Sequence, residues 1–236
     1  MKKYNIIRRL LNRFGWDIQR YRYFHRLLKE FDIDLVIDVG ANTGGYVGEI
    51  RLHEYMGRVV SFEPGERAFN VLKEASSQDP LWDCYKLGVG DAEGELMLNV
   101  YDHDVYSSFR NLSEHVTFSN KPKTEIVRMV TLDQFMLDNP DLMKARRKFL
   151  KVDTQGFEKN VIAGAQNVMD SFSGIMMECS LSRCYDGEWF LEEAFTELRK
   201  LGFVPWSMKR NIMKNHRELE YDVIFMREHQ IVKDIV

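Results

Sequence analysis

Four acids stand at or near the ends of apolar runs in this chain: Asp38, Glu63, Asp153 and Glu178. Between the first two lies Gly40-Ala-Asn-Thr-Gly44. The order is a buried strand, a turn with little side-chain bulk, a helix, and a second strand ending in an acid. Such an arrangement holds an adenosine-bearing ligand. Gly40, Ala41, Asn42, Thr43 and Gly44 let backbone N–H groups approach it, and Glu63, followed by Pro64, can accept both ribose hydroxyl protons. Asp38 lies inside the first strand, just before the turn. A nicotinamide site disfavours a carboxylate there, facing a pyrophosphate, and Asn42 occupies the place of the second glycine of a dinucleotide fingerprint. A sulfonium cofactor carries a cation and an ammonium group, so S-adenosylmethionine fits better than NAD. Asp38 would then bond the ammonium, directly or through water, or else cap the N–H groups of its own turn.

Methyl transfer to a hydroxyl needs the oxygen in line with the methyl–sulfur bond and a base for its proton. Asp153 closes the apolar run Phe149 to Val152, at the strand end beside the first strand where the reactive methyl belongs. It is read as that base or as a partner of the cofactor's ammonium. Lys151 shares a strand face with it and would keep the acid ionised or stabilise an oxyanion. Glu178 ends the neighbouring strand. Asp153 and Glu178 converge as base and orienter, or as two ligands of a divalent metal such as Mg²⁺; a metal is left open and not predicted. Gln155, Gly156 and Glu158 form the turn into the next helix, where Glu158 favours the helix N-terminus. Asp91 is either an acceptor for the adenine amino group or the first residue of the turn Asp91-Ala-Glu-Gly94; a backbone contact from Val89 or Gly90 serves adenine in both cases. His103, Tyr106, Ser107 and Ser108 sit on a polar, irregular stretch and are the candidates for an acceptor pocket, with His103 an alternative base.

Elements that position these groups follow from periodicity. Strands are expected at 34–39, 58–63, 83–89, 95–101, 125–130, 149–152, 175–178, 203–208 and 221–226, and helices at 45–55, 66–77, 131–135, 157–170 and 188–200. Five β-α repeats followed by two consecutive strands give a mostly parallel sheet with an antiparallel edge hairpin and helices on both faces. Residues 1–32 read as a basic amphipathic helical appendage, 33–228 as one α/β domain and 229–236 as a tail.

The chain has 236 residues and is 44% hydrophobic, enough for one full core. No apolar run approaches the ~18 residues of a bilayer span, and Arg8, Arg9 and Arg13 break the N-terminal apolar stretch where a secretory signal would lie. Cys84, Cys179 and Cys184 have no metal-ligand spacing and read as reduced thiols of a cytoplasmic protein. The net charge is −3, unevenly placed: residues 1–30 carry nine Lys/Arg against Asp17 and Glu30. Ile6, Ile7, Leu10, Leu11 and Phe14 share a helical face there. That segment is expected either to dock on another helix or subunit, or to rest on an anionic membrane surface at its inner, cytoplasmic face. The acidic remainder argues against nucleic acid.

Three segments together resemble the FkbM family of S-adenosylmethionine-dependent methyltransferases: Ile37-Asp-Val-Gly-Ala-Asn-Thr-Gly-Gly-Tyr46, Ser61-Phe-Glu-Pro64 and Leu150-Lys-Val-Asp-Thr-Gln-Gly-Phe-Glu158. Gly88-Val-Gly-Asp91 with Gly94, Ser107-Ser108, Thr131-Leu-Asp133 and Gly164-Ala165 support it, and the likeness covers roughly residues 34–205. Gly88 departs from the alanine common in the family. The resemblance implies a seven-stranded class I methyltransferase (Rossmann-like) sheet and O-methylation, often of sugar hydroxyls in glycans, lipid-linked saccharides or natural products. The expected partner is therefore a small-molecule or glycan hydroxyl acceptor, and a homo-oligomer is allowed. Two rivals stand beside this: O-methylation of a non-sugar natural product, and a non-catalytic cofactor-binding subunit of a glycan-assembly complex.

Overall fold

A computed structural model describes residues 11, 13–14, 26–101, 107–113, 121–214 and 217–228. Apart from residues 11, 13 and 14, the basic segment before residue 26, together with His103, Tyr106 and the tail 229–236, lies outside the described residues. Strand β1 (Leu35–Val39) is buried along its whole length, as a central parallel strand covered on both faces must be. It pairs in parallel with β2 (Arg58–Phe62) on one side and with β7 (Lys148–Val152) on the other. β3 (Trp82–Tyr85) lies beyond β2, and β8 (Phe172–Ser180) beyond β7. The last two strands, β9 (Phe203–Lys214) and β10 (Arg217–Arg227), form a long antiparallel hairpin with β10 against β8. The order is β3-β2-β1-β7-β8-β10-β9, the seven-stranded, mostly parallel α/β sheet that was expected.

Two apolar layers cover the sheet. On one face Val36, Val59, Phe149, Ile224 and Met226 pack with Val47 and Ile50 of α2 (Gly45–Leu52) and Leu72 of α3 (Glu66–Ser76). Leu27 and Leu28 of α1 (Leu27–Glu30), with Phe31, join the same layer. On the other face Ile37, Val60, Phe62, Leu150, Ile175 and Phe225 meet α4 (Leu132–Asp138), α5 (Pro140–Met143), α6 (Glu158–Ala163) and α7 (Leu191–Lys200). Side chains of the Phe62, Phe149 and Phe225 class, all fully buried, contribute about 2 kcal/mol each.

Three features depart from the sequence reading. The stretch 83–89 is two elements: β3 stays in the main sheet, whereas β4 (Gly88–Val89) crosses into a second, three-stranded sheet ordered β4-β6-β5 with β5 (Gly94–Val100) and β6 (Lys123–Val130). Leu87 between them has its N–H on the Tyr85 carbonyl at 3.0 Å, a tight bend that an apolar run conceals. The expected helix 157–170 stops at Ala163, because Gly164 packs directly onto the Gly90 backbone, and only a single 3₁₀ turn at Met169–Ser171 follows. The hairpin strands run well past 208 and begin well before 221, since pairing continues through polar residues that carry no apolar signal. Among the described residues no helix is long and apolar enough to cross a membrane.

Candidate active site

The turn after β1 is shaped by what it cannot accommodate. Gly40 has φ +77°, and a Cβ there would overlap the Asp153 carbonyl oxygen, so neither the conformation nor the space admits another residue. Gly44, at φ +90°, packs under the Trp82 ring. Asn42 takes the left-handed region at φ +49°, which its short polar side chain tolerates. The N–H groups of Gly40 and Ala41 donate to the Phe62 carbonyl, each at 3.0 Å. Glu63 closes the turn from β2: Oε2 accepts from Asn42 N–H and Oε1 from Gly65 N–H, both at 2.8 Å. Burial pushes its carboxyl up to about 7, against the pull of those two bonds and of Lys151.

Strand register lines up a charged row. Asp38 stands opposite Ser61 on β2 and Lys151 on β7, on the face covered by α2. Asp38 is fully buried. It accepts from Ser61 Oγ at 3.0 Å and pairs with Lys151 Nζ at 3.1 Å, while Trp82 Nε1 donates to Ser61 Oγ at 2.9 Å. Lys151 Nζ also donates to the Gly40 carbonyl at 2.8 Å and lies 3.4 Å from Asp153 Oδ2. Burial would lower the Lys151 pKa, but the carboxylates of Asp38 and Asp153 outweigh it and raise it. Asp38 thus anchors Lys151 beneath the turn instead of reaching the cavity.

Asp153 follows β7, its N–H donating to the Val39 carbonyl at 3.0 Å. The next turn is tied by Glu158, which accepts from Thr154 N–H and Oγ1 and from Gly156 N–H at 3.0, 3.1 and 3.2 Å. Its carboxyl is pushed up to about 7 by burial. Gln155 is held at φ +54°, a strained state for a long side chain of the kind stored at functional sites. Ser108 Oγ fixes it by donating to its carbonyl at 2.6 Å. The Gln155 amide donates to Asp153 Oδ1 at 3.1 Å and to Glu178 Oε2 at 2.8 Å, and accepts from Tyr185 Oη at 3.2 Å.

Glu178 lies within β8, not at its end, directly opposite Asp222 of β10; Glu220 lies opposite Ser180. Asn211 of β9 donates to Glu178 Oε1 at 3.0 Å and to Glu220 Oε1 at 2.6 Å. Burial, then the nearby acids Asp153 and Glu220, push the Glu178 carboxyl well above the usual carboxylate range. Burial raises Glu220 as well and brings Asp222 up to about 6, with Asp153 adding to both. Lys209 stands 3.9 Å from Asp222.

Gly40, Asn42, Glu63, Lys151, Asp153 and Glu178 border one cavity of about 560 Å³ at the carboxyl ends of the parallel strands, the usual ligand position in such sheets. One half is walled by Gly40, Ala41, Asn42, Thr43, Glu63 and Pro64, with Leu87, Gly88, Val89, Leu98 and Phe109 forming an apolar slot. The other half is walled by Asp153, Gln155, Glu178, Tyr185, Asn211, Glu220 and Asp222. Ser107 and Ser108 border both. Asp38 and Gly44 stand behind the lining. Gly90 and Asp91 stand outside it: Gly90 N–H pairs with the Val130 carbonyl, and exposed Asp91 accepts from Asn160 at 2.9 Å. Gly88 makes room for Met129 and Phe109, whose atoms an added Cβ would meet. Sequence reasoning missed Leu98, Phe109, Tyr185, Lys209, Asn211, Glu220 and Asp222. Only Glu220 and Asp222 left a trace, two acids at strand spacing beside a core strand. Among the described residues no group of three or more His, Cys, Asp and Glu side chains is placed to hold a metal ion; amide N–H donors of Gln155 and Asn211 sit between the carboxylates.

The model of the methyltransferase FkbM domain matches residues 38–205. Among curated proteins none matches the chain. Among solved structures the chain is similar to methyltransferase FkbM from Methylobacillus flagellatus KT, at 13% identity and a TM-score of 0.52, over 81% of this chain and 44% of that one. The chain therefore spans less than half the length of that protein. It is also similar to magnesium protoporphyrin IX methyltransferase from Synechocystis PCC 6803, with 10% identity, 95% and 96% of the two chains covered and a TM-score of 0.47. A third similar structure is 1,6-didemethyltoxoflavin-N1-methyltransferase from Burkholderia thailandensis, with 11% identity, 85% and 74% covered and a TM-score of 0.47.

Proposed function

The chain belongs to the FkbM family of methyltransferases, and on that premise we propose that it moves the methyl group of S-adenosylmethionine to a hydroxyl oxygen, most simply that of a sugar. Its class is S-adenosylmethionine-dependent methyltransferase. The lining fits that cofactor. Glu63 offers carboxylate oxygens for ribose hydroxyls, the Gly40–Thr43 backbone leaves room for the amino-acid part, and the slot of Leu87, Val89, Leu98 and Phe109 suits a flat base. When bound, the cofactor supplies an electrophilic methyl group on a positive sulfur.

The observation that carries the hydroxyl reading is the exposure of Asp153. It is the one acid of its network with a side chain 40% exposed, whereas Glu178 and Glu220 are bonded into the wall. Its Oδ1 is oriented by Gln155 and its Oδ2 by Lys151. Asp153 takes the proton leaving the acceptor hydroxyl, and Lys151, anchored by Asp38, holds the carboxylate in place. A wall of carboxylates and amides suits a polyol, whose hydroxyls need acceptors. Product analysis after incubation with S-adenosylmethionine and a set of methyl glycosides tests this. Methyl ethers are the expected product; transfer confined to nitrogen or carbon acceptors would sink the hydroxyl assignment.

A further inference from the structure

Residues beyond 205 fall outside the segment matched to the family, yet the β9–β10 hairpin supplies part of the cavity wall. Asn211 and Glu220 are the hairpin's contribution nearest Glu178. The Asn211 amide uses its N–H donors on Glu178 and Glu220 at once, at 3.0 and 2.6 Å. Glu220 is buried, so its carboxyl faces this network and not bulk water. Gln155 spends its own amide donors on Asp153 and Glu178. The amide donors of Asn211 and Gln155 are therefore turned onto the protein's own acids, and the ligand meets a surface rich in carboxyl groups, of which Asp153 is the most exposed. Lys151 and Lys209 do not offset this toward a ligand, because Lys151 is held between Asp38 and Asp153 and Lys209 stands beside Asp222.

We propose that Asn211 and Glu220 are specificity-determining residues, which with Glu178 admit uncharged, hydroxyl-rich acceptors and turn away acceptors bearing a carboxylate or phosphate. The inference rests on the hydroxyl-methyltransferase reading and names its substrate class. An anionic acceptor placed beside these acids is repelled, which sets the direction of the discrimination. It also places selectivity on residues that lie beyond the matched segment 38–205.

The test compares the full chain with Glu220→Gln, which is isosteric, and Asn211→Lys, which sits at an exposed position and adds a cation between the two acids. Each protein is first shown to bind S-adenosylhomocysteine, so that an unfolded variant is recognised. The probes are methyl glucoside, methyl glucuronide and glucose 6-phosphate, and their methyl transfer rates and their binding to the S-adenosylhomocysteine-loaded protein are both measured. Expected is a preference of the natural chain for the neutral glycoside, with the ratio shifting toward the anionic sugars by roughly tenfold or more in either variant. An unchanged ratio in both variants overturns the inference and leaves the methyltransferase reading intact. So does preference of the natural chain for the anionic sugars. If no hydroxyl is methylated, the hydroxyl reading fails, and the binding ratios still decide the inference: no binding, or binding that neither variant redirects, overturns it.

Discussion

The two halves of the cavity are built on opposite principles. Around Gly40 the wall is backbone, held by a few close approaches: Gly40 against the Asp153 carbonyl, Gly44 under Trp82, and Glu63 closing the turn through two N–H groups. Around Asp153 the wall is side chain, and its members come from β7, β8, the turn before α6 and the terminal hairpin. A backbone wall serves one unvarying ligand, because its geometry is local and rigid. A wall of converging side chains changes with single substitutions.

Substitutions in the two halves should act on different quantities. The largest effect is expected for Asp153→Asn, which should lower turnover by about 10²–10⁴-fold while S-adenosylhomocysteine affinity, measured by calorimetry, changes only a few-fold. Equal losses in both would mean that Asp153 belongs to the cofactor half. Gly40→Ala should act the other way, costing more than about 2 kcal/mol of stability by thermal unfolding and removing cofactor binding, because both φ and space forbid the methyl. Retention of full affinity would refute the rigid-wall account. Glu63→Gln should weaken cofactor binding by about tenfold, with an acceptor KM little changed, since one charge-assisted bond to ribose is lost.

Acidity separates the halves more gently. Glu63 and Glu158 titrate near 7 and Asp222 near 6 in the folded protein because burial disfavours their charge, against about 4 when unfolded. Between those values the folded chain holds more protons than the unfolded one. Stability of the ligand-free protein therefore falls as pH rises from about 4.5 to 7, and acidification within that window should raise the thermal midpoint. Cofactor binding runs opposite under the proposed role of ionised Glu63 on ribose: affinity should fall below pH 7 by at most about tenfold per unit, and Glu63→Gln should flatten that slope. The smallest effect is expected for Gly88→Ala. The added Cβ meets the flexible end of Met129 and the Phe109 ring, and about 1 kcal/mol of overpacking should appear in the unfolding midpoint, with turnover nearly unchanged.

The turn and the acid that line one half of the cavity were legible in the chain. Val-Ile-Asp-Val-Gly-Ala-Asn-Thr-Gly followed by Ser-Phe-Glu-Pro states a strand, turn, helix and acid within about thirty residues, and the cavity lies where that pattern puts it. Register supplied what the chain could not say of Asp38: its neighbours across the sheet are Ser61 and Lys151, and it bonds to both. Asp91 likewise follows an apolar run, yet the bend at Leu87 carries that stretch into a second sheet.

From the residues alone came a mostly parallel α/β sheet with an antiparallel edge hairpin, the glycine turn, Glu63 after the second strand and Asp153 after an apolar strand, because these follow from side-chain period and local conformational limits; the count of seven strands came from the family resemblance. Tertiary structure decided that Glu178 meets Asp222 and Glu220, that Asn211 and Gln155 bridge the acids, and that Leu98 and Phe109 complete the apolar slot. Gln155 and Asn211 reach Glu178 across 23 and 33 positions of the chain, and strand register is what brings them together. Shifting an antiparallel hairpin by one residue would turn Glu220 and Asp222 to the opposite face, and nothing in their own neighbourhood in the chain says which register the sheet will choose.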